Sequence, residues 1–256
     1  MLWALYNRAA EALRPNGILH DPDAVRIYSC IDYDFRRRFG KPDGSHALRS
    51  RLFDDAVRPW LAAHPGATVV ELGVGLETQA FRCDDGQARW LCVDVPEAIA
   101  LRERFIVPDD RFRHLDKSAF DVSWMDHVDA SRGVFVTAQG LFMYFPEQEV
   151  RRLVTTLFER FPGVELMFDT IPRWFSDKTL RGFYKTKHYQ APPMPWGIDR
   201  SAIEPTVRSW SERVRDVSLV AFGYLRGLGG RLLPIASRLP LVRETLPHVV
   251  RVRTAS

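Results

Sequence analysis

Cysteine is scarce in this chain: its 256 residues hold three, Cys30, Cys83 and Cys92. Their spacing matches no metal-ligand pattern, and an odd number cannot close a complete set of disulfides. A disulfide-stapled secreted scaffold and a cysteine-held metal module are therefore not expected, and a reducing, cytoplasmic setting is. Long apolar runs are also missing. No stretch approaches the roughly 18 apolar residues of a membrane span, and Arg8, Glu11 and Arg14 interrupt the N-terminal segment, so neither an anchor nor a signal peptide is expected. Charge of one sign does not dominate: 36 Lys+Arg stand against 32 Asp+Glu, a net +4, in short clusters such as Arg36-Arg37-Arg38. Without a basic stripe, nucleic-acid binding is not expected. The small positive excess suits an anionic small molecule. No internal repeat or low-complexity tract is present.

What the chain does have is the mixture of an ordinary globular protein, 46% hydrophobic and 27% charged. Its length suits one α/β core with appended segments. Apolar residues at helical spacing (Leu48, Leu52-Phe53, Ala56-Val57, Trp60-Leu61) make residues 1–65 a helical N-terminal cap, stopped by Pro65-Gly66. Buried-strand segments then alternate with helices: 68–72, 89–94, 111–116, 134–138 and 164–169, with helices after Gly75 and opening at Pro96 and Pro146. That order predicts a doubly wound parallel sheet over a core of residues 66–170. Residues 171–212 read as an irregular lid or substrate loop, because Ala191-Pro192-Pro193-Met194-Pro195-Trp196-Gly197 is too proline-rich for a helix or central strand. Residues 213–256 are expected to close the sheet with strands over 217–225 and 249–252. The whole, 1–256, reads as a single domain. Phe142, Phe158, Phe161, Phe168, Trp90 and Trp124 are expected in the core.

The first strand runs directly into Glu71-Leu72-Gly73-Val74-Gly75-Leu76-Glu77-Thr78. Glycines at such a turn let backbone approach a ligand closely, at the strand ends where doubly wound sheets bind. Asp94 ends the second strand 21 residues after Gly73, the spacing at which a carboxylate meets both ribose hydroxyls of a nucleoside. A dinucleotide would call for a third glycine near Thr78 so that a helix N-terminus could meet its pyrophosphate; that glycine is missing, and Glu71 and Glu77 are unsuited to phosphate. S-adenosylmethionine meets all of these conditions, with a ribose for Asp94, an ammonium for acidic groups and a carboxylate for a cation such as Arg49.

Ordered blocks resemble the leucine carboxyl methyltransferase family, in particular its bacterial polyketide O-methyltransferases of tetracenomycin type. These are Leu48-Arg49 with Phe53-Asp54, the 69–78 segment, Val93-Asp94-Val95-Pro96-Glu97, Ser118-Ala119-Phe120-Asp121 with Trp124, and Gln139-Gly140-Leu141-Phe142-Met143-Tyr144-Phe145. The likeness extends through Lys185-Thr186-Lys187 and Pro195-Trp196-Gly197 and covers most of the chain. It implies a class I S-adenosylmethionine-dependent methyltransferase fold. It also implies Arg49 at the methionine carboxylate, Gly73 and Gly75 at the close approach, Asp94 at the ribose and Ser118-Ala119 beside the adenine. Two positions depart from the family pattern: Glu77 stands where Asp is usual, and Gln139 where Glu is usual. Gln139 offers an amide oxygen in place of a full charge, a weaker acceptor for an ammonium.

Methyl transfer from a sulfonium is an in-line displacement that needs alignment and exclusion of water and no metal. A carboxylate acceptor is already ionised at neutral pH, whereas a phenol gains from a general base. The expected lid carries Arg173, Trp174, Tyr184, Lys185, Lys187, His188, Tyr189 and Trp196, cations and aromatics suited to a flat anionic acceptor. Arg173, Tyr184, Lys187 and Trp196 are the candidate acceptor contacts, and His188 and Tyr144 the candidate catalytic groups, although a lone histidine in such a loop is more often a surface residue. The expectation is O-methylation of a carboxylate or phenolic hydroxyl on a small natural-product-like acceptor. The alternatives are a non-methylating use of the same fold, such as cyclisation, and a protein carboxyl acceptor. Oligomeric state is not legible.

Overall fold

A computed structural model of the chain describes residues 1–222 and 239–255. The N-terminal segment forms four helices: α1 (Leu2–Ala12), α2 (Pro22–Ser29), α3 (Phe35–Phe39) and α4 (Ser45–Ala63). Asp21 caps α2 by accepting the Ala24 amide at 2.9 Å, with Pro22 in the first turn, where a missing N–H costs nothing. In α4, Phe53, Val57, Trp60 and Leu61 recur at helical spacing and turn one buried face to the sheet.

The sheet follows as β1 (Thr68–Leu72), β2 (Arg89–Asp94), β3 (Phe112–Asp116), β4 (Val134–Ala138) and β5 (Glu165–Thr170), separated by α5 (Gln79–Cys83), α6 (Pro96–Glu103) and α7 (Glu147–Arg160). After β5 come α8 (Arg173–Leu180), a small hairpin of β6 (Tyr184–Thr186) and β7 (Tyr189–Gln190), α9 (Arg200–Trp210), β8 (Val214–Ala221), α10 (Pro240–Glu244) and β9 (His248–Thr254). The large sheet has the order β3-β2-β1-β4-β5-β9-β8, with β1 to β5 parallel and β8 and β9 antiparallel. Both faces are covered, so alternate strand residues enter opposite cores. Val69, Trp90 and Phe135 pack with Trp60 of α4, whereas Val70, Val136 and Phe168 pack with Val154 and Phe158 of α7 and with Trp210 of α9. The aromatics expected inside are inside, Trp124, Phe158 and Phe168 completely so.

The strand order reverses between β1 and β4, and a crevice opens there beyond their carboxyl ends. Leu72 is in register with Val93 on one side and Ala138 on the other. The residues that follow these three, Gly73, Asp94 and Gln139, therefore meet at one edge.

Three expectations need correction. Residues 171–212 are not an irregular loop: α8, the hairpin and α9 occupy much of the stretch, and the prolines at 192, 193 and 195 fall in the extended segment between them. In α9 the sequence hides Ile203, Val207 and Trp210, a buried apolar face, behind Pro205, a residue usually foreign to a helix interior. The strand expected over 217–225 starts earlier, at Val214, and ends at Ala221; residues 223–225 lie outside the described residues. The helix expected after Gly75 is confined to five residues, because residues 74–78 form the turn of the site. Among the described residues no helix is long and apolar enough to cross a membrane.

Candidate active site

Gly73 and Gly75 hold φ of 64° and 49°, the left-handed region that other residues avoid, and this folds the chain back across the end of β1. A Cβ at Gly73 would stand 2.7 Å from Leu141 Cδ1, so the turn is also packed too closely for a side chain. Asp94 clamps it: Oδ2 accepts the Gly75 amide at 2.7 Å and Oδ1 accepts the Val95 amide at 2.8 Å. Beside it, at the end of β4, the Gly140 amide donates to Asp169 Oδ1, and Asp169 Oδ2 receives Arg49 Nη1 at 3.0 Å. α4 thus reaches over the sheet edge through Arg49.

These elements enclose a cavity of about 470 Å³. Of the residues singled out from the sequence, Arg49, Glu71, Gly73, Gly75, Asp94, Gln139 and Tyr144 line it. Glu71, on β1, is 2% exposed. Its Oε2 accepts only the Cys92 thiol at 3.5 Å, and its Oε1 has no partner among the described residues. Burial pushes the Glu71 carboxyl up to about 7, against the pull of Arg102. Arg49 Nε is likewise buried without a partner. Two residues that line the cavity therefore each keep a buried polar atom with no partner among the described residues, an acceptor on Glu71 and a donor on Arg49, and such atoms cost free energy while unpaired.

Gln139 does not face the cavity alone. Its Oε1 accepts from Ser50 Oγ and its Nε2 donates to Gln79 Oε1, both at 3.4 Å. Glu77 is fully committed: Oε2 accepts from Arg8 Nη1 at 2.9 Å and Oε1 from Arg82 Nη1 at 2.8 Å. Burial opposes that charge, but Arg8 and Arg82 outweigh it and hold the Glu77 carboxyl far below the usual carboxylate range. Arg82 also binds Asp54 and Asp21, and Arg8 also binds Asp21, so five buried charged side chains brace the glycine turn from behind.

The other sequence candidates lie elsewhere. Ala119 is buried with its carbonyl taking the Trp124 indole N–H at 2.9 Å, Ser118 Oγ accepts the Phe120 amide, and neither lines the cavity. Trp196 is a core residue stacked on Phe168. Arg173 is largely exposed near Asp199, and Tyr184 and Lys187 are exposed on or beside the hairpin, none of them at the cavity. His188 accepts weakly from Arg37 Nε at 3.5 Å, also away from it. The rest of the lining joins Tyr144 and Tyr189, both marked in the sequence, to Trp3, His46 and Pro192. The Trp3 ring lies 4.9 Å from His46 and 5.8 Å from Tyr189, centroid to centroid, and Lys185 caps it, 4.8 Å above the ring, while pairing with Asp43 at 3.0 Å. Burial, reinforced by Arg49, holds the His46 imidazole well below its ordinary range, so it is neutral at pH 7. Tyr144 is 38% exposed, and partial burial of its ring raises its phenol above the ordinary tyrosine range. His46 precedes Arg49 by three residues on α4, a spacing that puts both on one face and was the only local signal for it. Arg8 and Trp3 carried none.

The sequence profile of the leucine carboxyl methyltransferase family matches residues 2–158, more than half of the chain. The chain belongs to that family. Among its relatives, the tetracenomycin polyketide synthesis O-methyltransferase TcmP of Streptomyces glaucescens is 33% identical over 177 residues, which is 68% of this chain and 66%, just under two thirds, of the relative. Among solved structures, the small RNA methyltransferase HEN1 superposes with a TM-score of 0.58 at 14% identity, covering 88% of this chain and 27% of that one. The N-methyltransferase NodS from Bradyrhizobium japonicum WM9, in complex with S-adenosyl-l-homocysteine, gives 0.50 at 11% identity, covering 92% and 100%. At these identities the structural likeness speaks for the fold, the class I methyltransferase fold expected of the leucine carboxyl methyltransferase family.

Proposed function

We propose that the chain is an S-adenosylmethionine-dependent O-methyltransferase whose acceptor is the carboxylate or phenolic hydroxyl of a small natural-product-like molecule. The observation that carries the reading is that two residues lining the cavity, Glu71 and Arg49, each keep a buried polar atom, Oε1 and Nε, without a partner among the described residues. An amino-acid end satisfies both, its ammonium at the acceptor and its carboxylate at the donor, and the clamp residue Asp94 is left facing a ribose. The family match and the likeness to TcmP support the same reading.

When bound, the cofactor supplies an electrophilic methyl group on a sulfonium. The chain's part is positional. Arg49, itself fixed by Asp169, orients the carboxylate; Glu71 neutralises the ammonium; Gly73 and Gly75 keep side chains out of the approach. Trp3, Tyr144 and Tyr189 form an aromatic wall suited to a flat acceptor. A cavity of about 470 Å³ lies within the roughly 300–1,000 Å³ of small-molecule sites. His46, neutral and in that wall, is the histidine placed to take a proton from a hydroxyl acceptor; a carboxylate acceptor has none to give.

Incubation with methyl-labelled S-adenosylmethionine and a panel of aromatic acids and phenols tests the reading. Label in a product heavier by one methylene supports it; cofactor binding without transfer to any acceptor favours the non-methylating alternative. His46→Gln separates acceptor types. With a phenol, turnover is expected to fall by about 10² or more, the usual worth of a positioned base, while turnover of a carboxylate stays nearly unchanged. Wild-type phenol methylation should be level above neutrality and decline as pH falls below the ordinary histidine range, where His46 takes up a proton. An equal loss on both acceptors would assign His46 to packing.

A further inference from the structure

Among the described residues three carboxylates line the cavity, and two have their oxygens engaged. Both Glu77 oxygens are held by arginines, and both Asp94 oxygens accept backbone amides. Glu71 differs. Its neighbours in register are Cys92 on β2 and Thr137 on β4. Among the described residues, the charged groups that act on it most are Arg102 from α6, Glu77 from the turn and Arg82 from α5, while Arg8, Arg49 and Asp94 line the same cavity. None of the first three donates to it. The Arg102 guanidinium is spent on the carbonyls of Gly75 (3.1 Å) and Glu77 (2.6 Å), on His114 Nε2 (3.0 Å) and on Cys92 Sγ (3.6 Å). Arg82 is spent on Asp21, Asp54 and Glu77. Just beyond the neighbouring β4, Gln139 is a neutral amide tied to Ser50 and Gln79, and on β5 Asp169 is neutralised by Arg49.

We propose that Glu71 receives the ammonium of S-adenosylmethionine and takes up that role by releasing its own proton, so that cofactor binding is coupled to the loss of one proton to solvent. This rests on the cofactor reading above. The step balances: Glu71 passes from acid to carboxylate, the proton goes to solvent, and the ammonium keeps its charge and replaces the proton as the neutralising partner. Burial with no donor but a thiol makes the protonated form of the empty site competitive near neutrality, the carboxyl standing at about 7. An ammonium against Oε1 reverses that balance. Below pH 7 the empty site holds a proton that binding must displace, and above it the carboxylate is already present. With that value, binding releases roughly 0.9 proton at pH 6 and roughly 0.1 at pH 8, and apparent affinity rises about tenfold over the same interval.

Calorimetric titration with S-adenosylmethionine, at pH 6 and pH 8 and in pairs of buffers of different ionisation enthalpy, reads the proton count directly. The contrast ligand is 5′-methylthioadenosine, which keeps adenine, ribose and sulfur and lacks the amino-acid end. The expected result is close to one proton released with S-adenosylmethionine at pH 6, close to none at pH 8, and none with methylthioadenosine at either. In Glu71→Gln the release disappears and affinity becomes level with pH, in a protein whose circular dichroism matches wild type. Absence of release at pH 6, equal release with methylthioadenosine, or release surviving in Glu71→Gln overturns the proposal. The contrast between the two ligands on wild type decides it even where the variant fails to fold. Failure of S-adenosylmethionine to bind at any pH is a different result and removes the cofactor reading together with the coupling.

Discussion

Arg82→Met is expected to lower the unfolding free energy by about 3–5 kcal/mol, the loss typical when one partner of a buried ion pair is removed. Arg82 is 3% exposed at its side chain and contacts three carboxylates: Asp21 and Glu77 through Nη1, each at 2.8 Å, and Asp54 through Nε at 2.7 Å and Nη2 at 3.0 Å. Methionine fills much of the volume and satisfies none of them. Arg8 remains to Asp21 and Glu77, and Asp54 keeps Gln79 and the half-exposed Arg58. The pH dependence is fixed in sign. The folded Glu77 carboxyl is depressed, so its contribution is present above the unfolded carboxylate range and lost as pH falls through the folded value. The deficit of the variant should therefore be greatest near neutrality and shrink on acidification, because protonation relieves the crowded carboxylates in the variant first. Urea unfolding at several pH values checks this; a loss below about 1 kcal/mol at pH 7, the worth of an exposed pair, would show that the cluster does not brace the turn.

Asp94→Ala is expected to weaken S-adenosylmethionine binding by roughly 100-fold or more. Two effects add. The variant loses an acceptor for two ribose hydroxyls, with about 1.5–3 kcal/mol for each bond to a charged group. It also frees the Gly75 and Val95 amides that Asp94 now holds, so the glycine turn loses its clamp. Equilibrium dialysis measures the affinity, and a melting temperature within a few degrees of wild type separates lost binding from lost folding. An affinity within threefold of wild type would move the nucleoside away from the end of β2.

The five parallel strands and the glycine turn were legible in the chain because their signals are local: apolar runs of strand length, glycines directly after the first, a carboxylate ending the second. The aromatic wall was legible only in part: Tyr144 and Tyr189 were among the residues marked in the chain, whereas Trp3 and His46, from α1 and α4, were not, because the wall is assembled from residues far apart in sequence. Arg8 reaches Glu77 across 69 residues, a pairing that no local rule announces. The cations and aromatics after β5 misled for a related reason. Composition marked Arg173, Lys187, His188 and Trp196 as suited to an acceptor, but composition does not say which way a side chain points. Trp196 turns inward onto Phe168, while Arg173 and Lys187 face solvent. Ser118 and Ala119, implied by resemblance, serve the Trp124 turn in this structure.

On the proposed reading, the cavity lined by Glu71, Arg49 and Asp94 holds an adenosyl amino acid. Calorimetric titration of the purified wild-type chain with S-adenosylmethionine and S-adenosylhomocysteine tests it most directly. The account predicts one site per chain with dissociation constants of roughly micromolar order, about −8 kcal/mol. No binding of either ligand at millimolar concentration would contradict it.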